Sequence, residues 1–366
     1  MKHTRIGLLP LLALAACAAP AAAQNDYSNP NMEPVNDLPN PYAGRRVMPL
    51  PDARAWGSTA GVDAAKGRDD IWAIDRCGSN TCVGSHANPL LHYDAAGNLV
   101  GEMGADLFAF PHGIHVDRDG NVWVTDGRAA SKEELAKFPD AQGKGHTVTK
   151  FSPDGKVLLR LGKPGVGQRG TDTFNEPNDV ITAPNGDIFV SDGHSGQNPT
   201  ATPDTNARIV KFTRDGKFVK EWGKFGSGPG EFRTPHALAM DSRGRLFVAD
   251  RGNHRIQIFD QDGKFLEEWK QFSRVSGLFI TRNDQLYAID SESSPERHPN
   301  WKTGVRIGTT KEDKVLQFIP PHALPKGEAQ GAAGEGVAVD PDGNVFAAEG
   351  PISRQAAGGG LTKYAK

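Results

Sequence analysis

Six short apolar runs, each ending in an acidic residue, recur along the chain and leave few folds open to it. They are Ile71–Asp75, Val122–Asp126, Ile188–Asp192, Leu246–Asp250, Leu286–Asp290 and Val345–Glu349. Most follow another apolar stretch across a tight turn, as at Asp119-Gly120, Asn185-Gly186, Arg243-Gly244 and Asp342-Gly343. Asp-Gly and Asn-Gly between strand-length runs signal hairpins, because Gly and Asn tolerate positive φ. Third strands follow, as in Arg208–Phe212 and Arg255–Phe259, then turns at Asp215-Gly216 and Asp262-Gly263. Fourth strands end near Glu221-Trp222 and Glu268-Trp269. Four antiparallel strands per unit, repeated six times, predict an all-β six-bladed β-propeller. Trp56–Asp63 supplies the first strand of unit one, while the last unit, around Val337, Phe346 and Leu361–Tyr364, lacks an outer strand. Arg46–Leu50 is expected to supply that strand and close the ring, covering edges that would otherwise invite aggregation.

The propeller is thus placed at 46–366, behind an Asn- and Pro-rich linker at 24–45. The first residues read as an export signal over 1–23, with Lys2 and Arg5, an apolar Ile6–Ala16, and Ala21–Ala23 before a cleavage site. Leu14-Ala15-Ala16-Cys17 also fits a bacterial lipobox, in which case Cys17 carries a lipid and anchors the domain to a membrane without a transmembrane helix. Either leader makes the chain exported, periplasmic or secreted. Of three cysteines, Cys77 and Cys82 then remain, and in an oxidising compartment they are expected to form a disulfide. Zinc held by that pair is disfavoured, since no further Cys completes a thiolate site. A net charge of −2 offers no electrostatic case for nucleic acid.

In a propeller, the first strand of each blade lines the central channel, and the loop after the second returns to the face where the first began. Aligned blade by blade, the starts of the first strands read Ser58, His112, Asn178, His236, Ser276 and Glu335. The two histidines and the glutamate fall in alternate blades, so they converge on the channel from three directions about a third of a turn apart. Two His plus a carboxylate, with a position open to water or substrate, suits catalytic zinc. It suits non-haem iron as well. Packing under a proline with a bond to backbone is the alternative for each His alone. His86, His92, His115, His146, His254 and His298 lack this register and read as surface or packing residues. His322, in a second copy of the His236 phrase, follows a fourth strand and is placed in a connection. Arg76 and Arg251 directly follow their terminal acids, and His194 lies two residues after Asp192. Arginine can grip a carboxylate and histidine can exchange a proton near neutral pH. Insertions at 127–147, 193–206 and 291–304 should form a rim that sets specificity.

Two segments carry a family resemblance: Phe110–Gly113 with Trp123–Asp126, and Pro235–Leu238 with Val248–Arg251 and Arg255–Gln257. With Phe189–Gly193, they resemble NHL-repeat propellers and, more specifically, the peptidyl-α-hydroxyglycine α-amidating lyases. The resemblance implies a channel zinc held by three histidines, of which His112 and His236 match while Glu335 stands at the third place. It assigns functional arginines to Arg76 and Arg251, and puts His194 where the family has a catalytic tyrosine. The family's structural calcium uses an acid where this chain has Gly336. The two changed site residues imply a different substrate.

The expected function is therefore a metal-dependent lyase acting on a small hydroxylated or peptide-derived substrate. Zinc is the expected cofactor, with iron as the alternative. His194, Arg76 and Arg251 would be catalytic, and Asn178 would join the arginines in binding substrate. A lactone or ester hydrolase preferring calcium, drawing on Asn178 and Glu335, is the second reading. A metal-free binding scaffold is the third.

Overall fold

The computed structural model describes residues 1, 32–51, 54–64, 69–320, 334–349 and 360–366. They form six separate four-stranded antiparallel sheets, each in sequential strand order except the last. The innermost strands are Thr59–Ala64, Pro111–Val116, Pro177–Thr182, Pro235–Met240, Val275–Ile280 and Gly336–Val339. Neighbouring inner strands pack against one another around a central axis, so the six sheets are the blades of a propeller. In the sixth sheet, Gly44–Val47 pairs antiparallel with Gly360–Ala365. This strand lies two residues upstream of the expected Arg46–Leu50. The ladder ends with Met48 donating to the Leu361 carbonyl at 2.8 Å, and Pro49 has no N–H with which to extend it.

Burial follows from stacking sheets face to face. The second strand of each blade is covered on both sides, so Ile71–Asp75, Val122–Asp126 and Ile188–Asp192 are buried throughout. Their continuous apolar character, rather than alternation, is what a strand with no solvent face requires. Outer strands such as Val157–Leu161 are mostly exposed.

The acid ending each second strand has a structural job. Asp126 accepts from the N–H groups of Ala109 and Phe110 at 3.0 and 2.6 Å. Asp192 accepts from Asn175 at 2.8 Å, Asp250 from Arg233 at 2.9 Å, and Asp75 from Gly57 at 2.7 Å. Each carboxylate thus pins the loop that enters its own inner strand. Burial pushes Asp126 and Asp192 up to about 6, against the pull of those N–H donors.

Residues ahead of the first sheet are partly docked. Val35 and Leu38 pack on the core between blades four and five, Arg306 donates to the Val35 carbonyl at 3.1 Å, and Phe318 N–H to Pro39 at 3.2 Å. The leader with Cys17, and His322, lie outside the described residues.

Candidate functional site

His112, Asn178, His236 and Ser276 owe their direction to register irregularities. Pro235 pairs with Asp250 and Ala237 with Ala249, leaving His236 as an extra residue with no partner. The same break falls at His112, Asn178 and Ser276. Such a bulge turns a side chain out of the sheet and is favoured beside active sites. In blade six, Gly336 pairs with Ala348, so Glu335 occupies the place that His236 holds in blade four. Blade one departs from expectation: Thr59 pairs with Asp75 and Gly61 with Ile74, which puts Ala60, not Ser58, at the bulge. Ser58 instead meets Arg76 Nη1 through its hydroxyl at 3.3 Å.

His112 Nδ1 lies 3.0 Å from the Asn178 carbonyl, and His236 Nδ1 lies 2.6 Å from that of Ser276. A carbonyl only accepts, so each Nδ1 carries a proton and each Nε2 is a bare lone pair. Both Nε2 atoms are buried without a hydrogen-bond partner, as are Glu335 Oε2 and Asn178 Oδ1. Burial, reinforced by the Arg251 charge on both and by Arg76 on His112, pushes both imidazoles well below their usual range and keeps them neutral. Their rings are 4.8 Å apart, and Glu335 Oε2 stands 4.0 Å from His112 Nε2. Bare acceptors facing each other at this range repel unless a cation lies among them. These residues border one end of a channel cavity of about 410 Å³.

His194 sits above, its ring 5.4 Å from each of the other two. One ring nitrogen from each of His112, His194 and His236 falls within 4.8 Å of the others. Glu176 fixes the His194 loop by accepting from His194 N–H at 3.1 Å and Ser195 N–H at 2.7 Å. Burial and then the Arg251 charge bring the His194 imidazole down to about 3.

The arginines close the arrangement. Arg76 donates to the Pro111 carbonyl at 2.9 Å and to Asn80 at 2.9 Å, and lies 3.7 Å over the Phe110 ring. Its Nη2 has no hydrogen-bond partner and points at Glu335, 3.6 Å away. Burial draws this guanidinium down to about 10. Cys77 and Cys82 are disulfide-bonded, clamping the loop that carries Asn80. Arg251 Nη1 reaches Glu335 at 3.6 Å and Nη2 meets His194 Nε2 at 2.9 Å. Every expected site residue therefore belongs to one cluster, with Glu335 between two guanidiniums as well as beside His112.

Two members were missed in the sequence. Glu292 lies two residues after Asp290, the same offset as His194 from Asp192, so a signal existed. Burial alone would raise its carboxyl, yet Arg251, Arg274 and Arg297 hold it well below the carboxylate range. Arg274 precedes its inner strand at a place with no motif; it donates to Glu292 at 2.8 Å and to Gln197 at 2.6 Å. Gly336 is also explained, since a Cβ there would meet Val62 N at 2.8 Å and leave no room for an acid.

The NHL-repeat family model matches residues 232–259, the segment that carries His236 and Arg251. The chain is thus a six-bladed propeller with an NHL repeat at 232–259, and it resembles the amidating lyases. This propeller is 38% identical over 166 residues to a rat peptidylglycine alpha-amidating monooxygenase, covering 42% of the chain but 14% of that protein. It is 33% identical over 171 residues to Drosophila melanogaster peptidyl-alpha-hydroxyglycine alpha-amidating lyase 1, covering 43% of the chain and 27% of that one. The chain thus matches a minor part of these relatives' length. A Xanthomonas campestris gluconolactonase shares the fold, with a TM-score of 0.52 over 89% of this chain and 96% of its own at 17% identity. Among the described residues, no helix is long and apolar enough to cross a membrane.

Proposed function

We propose that this NHL-repeat propeller is an exported metal-dependent lyase that cleaves a small hydroxylated substrate at the channel mouth. One observation carries the reading: His112 Nε2 and His236 Nε2 are buried acceptors without a hydrogen-bond partner, and the Glu335 carboxylate, ion-paired with Arg76 and Arg251, stands beside them. Leaving such atoms unpaired costs about 1–3 kcal/mol each, a cost that a shared cation removes. His112, His236 and Glu335 would hold zinc, or iron, which share this donor set. When bound, such an ion lowers the pKa of a hydroxyl group.

The remaining work falls to the chain's own residues. In a substrate of the type X–CH(OH)–R, the hydroxyl proton leaves, the C–O bond becomes a carbonyl, the C–X bond breaks and X takes a proton. His194 stands over the His112 and His236 rings, where it can donate a hydrogen bond to substrate. Arg76, whose Nη2 makes no hydrogen bond, and Arg251 would face developing negative charge. Asn178 keeps its amide N–H₂ on the Gly193 and Pro235 carbonyls, which leaves Oδ1 for substrate. The Cys77–Cys82 bond supports an oxidising, extracytoplasmic setting.

The relatives' names suggest the first probe, an N-acyl-α-hydroxyglycine, which such a lyase would split into an amide and glyoxylate. Glyoxylate release that needs zinc or iron supports the reading; no bound metal in chelator-free protein, and none taken up, overturns it. A lactone or ester hydrolase is the second reading, favoured by the bare Asn178 Oδ1 as an oxygen donor. Tighter binding of calcium than of zinc would select it.

A further inference from the structure

His194 is near enough to His112 and His236 to complete a three-histidine metal site, but its hydrogen bonding argues against that role. Arg251 Nη2 lies 2.9 Å from His194 Nε2. A guanidinium has five N–H donors and no acceptor, so Nε2 must be the bare nitrogen and must accept. A neutral imidazole then carries its proton on Nδ1. His112 and His236 have the opposite arrangement, with Nδ1 at a carbonyl and Nε2 bare and unpartnered. A metal ligand needs a free lone pair, and the one on His194 is already engaged.

Arg251 is itself held firmly. Its guanidinium lies 3.5 Å from the Ser276 hydroxyl and 3.8 Å from Glu292. Its carbonyl accepts from Arg274 Nη1 at 3.0 Å. Arg274 also grips Glu292 at 2.8 Å and Gln197 at 2.6 Å, and Gln197 lies in the same turn as His194. Blades three, four and five are joined by this network.

Resting on the metal reading above, we propose that Arg251, positioned by Glu292 and Arg274, holds His194 in its Nδ1–H form and off the metal. His194 is thereby a neutral hydrogen-bond donor to substrate, and neither a third ligand nor a base. Neutral imidazole is a known electrophile of this kind. Glu292 and Arg274 are positioning residues that act through Arg251.

Zinc affinity, measured in the full protein by competition with a chromophoric chelator, gives the first test. Removal of a true ligand in His112→Ala or His236→Ala should weaken zinc by more than about 100-fold, beyond what loss of an outer partner costs. His194→Ala should stay within about threefold of wild type. Arg251→Met frees Nε2, so zinc should bind about tenfold tighter, and adding His194→Ala should cancel the gain. Should Arg251→Met not fold, His194→Ala against His112→Ala decides alone. A loss in His194→Ala as large as in His112→Ala overturns the proposal.

The second test needs no metal. In protein labelled with ¹⁵N-histidine, the resonance absent from His194→Gln should show its proton on Nδ1, and Glu292→Gln should blur that signature into a tautomer mixture. A proton on Nε2 in the wild type overturns the proposal. If wild type takes up no zinc, the metal reading falls, while this spectrum still decides the Arg251–His194 arrangement.

Discussion

Two groups of buried histidines in this molecule differ in one respect that matters. At the channel mouth, His112 and His236 are neutral and buried, each with one nitrogen that nothing in the chain satisfies. In the rim insertion of blade five, His298 is also buried, and burial brings it down to about 4. Yet its Nδ1 meets the Ser273 hydroxyl at 3.0 Å, the ring stacks on Trp301 at 4.8 Å and lies against His254 at 4.1 Å, and neither ring nitrogen is a buried atom without a partner. Burial and a depressed pKa are therefore shared by both groups and distinguish nothing. The unsatisfied lone pair does, and it is the feature on which the proposed metal site rests.

The sharpest way to break this contrast is His236→Ala. Metal content of the purified protein should fall from about one ion per chain, the number for a single site, to none. His298→Ala should leave it unchanged. Next, Glu335→Ala should lower turnover of a hydroxylated substrate by about 100-fold, the scale of losing one charged group at a site, and should lower the melting temperature as well, since Arg76 and Arg251 lose their shared counterion. Retained turnover would place Glu335 outside the chemistry.

The third concerns acid. An unfolded His298 takes its proton near 6.5, while the folded one does so only at about 4. Because the unfolded state binds more protons between those values, stability is fully present above pH 6.5 and falls as pH drops toward 4. The loss from this residue approaches about 3 kcal/mol, and His298→Phe should flatten that part of a denaturation-against-pH curve. The smallest effect belongs to the clamp beside Arg76. The Cys77→Ser, Cys82→Ser pair opens a link of sequence separation 5 and should cost about 2 kcal/mol in chemical denaturation.

The contrast also shows what a sequence can disclose. The repeat and its terminal acids were readable because burial on both faces forces continuous apolar runs and each acid answers a local need. His112, His236 and Glu335 were readable because they share a place in that repeat. Ser58 was misplaced for Ala60 because a bulge is defined by the partner strand, which a single run of residues does not reveal. Glu292 and Arg274 went unseen since their role lies in what they hold, and that depends on three blades meeting. Nor did the Asn- and Pro-rich composition before the first sheet announce that Val35 and Leu38 would pack on blades four and five.

The bulges carry a consequence for how such a protein can change. Because Asp75, Asp126, Asp192 and Asp250 secure their loops through backbone N–H groups, the residue at the bulge in those blades does not carry that anchoring. Positions 60, 112, 178, 236 and 276 then act as five sockets on one chassis, accepting His, Asn, Ser or Ala over a similar bulge, with Glu335 at the matching place in blade six. A new donor set lies one substitution away, and chemistry at this channel can drift while the propeller stays as it is.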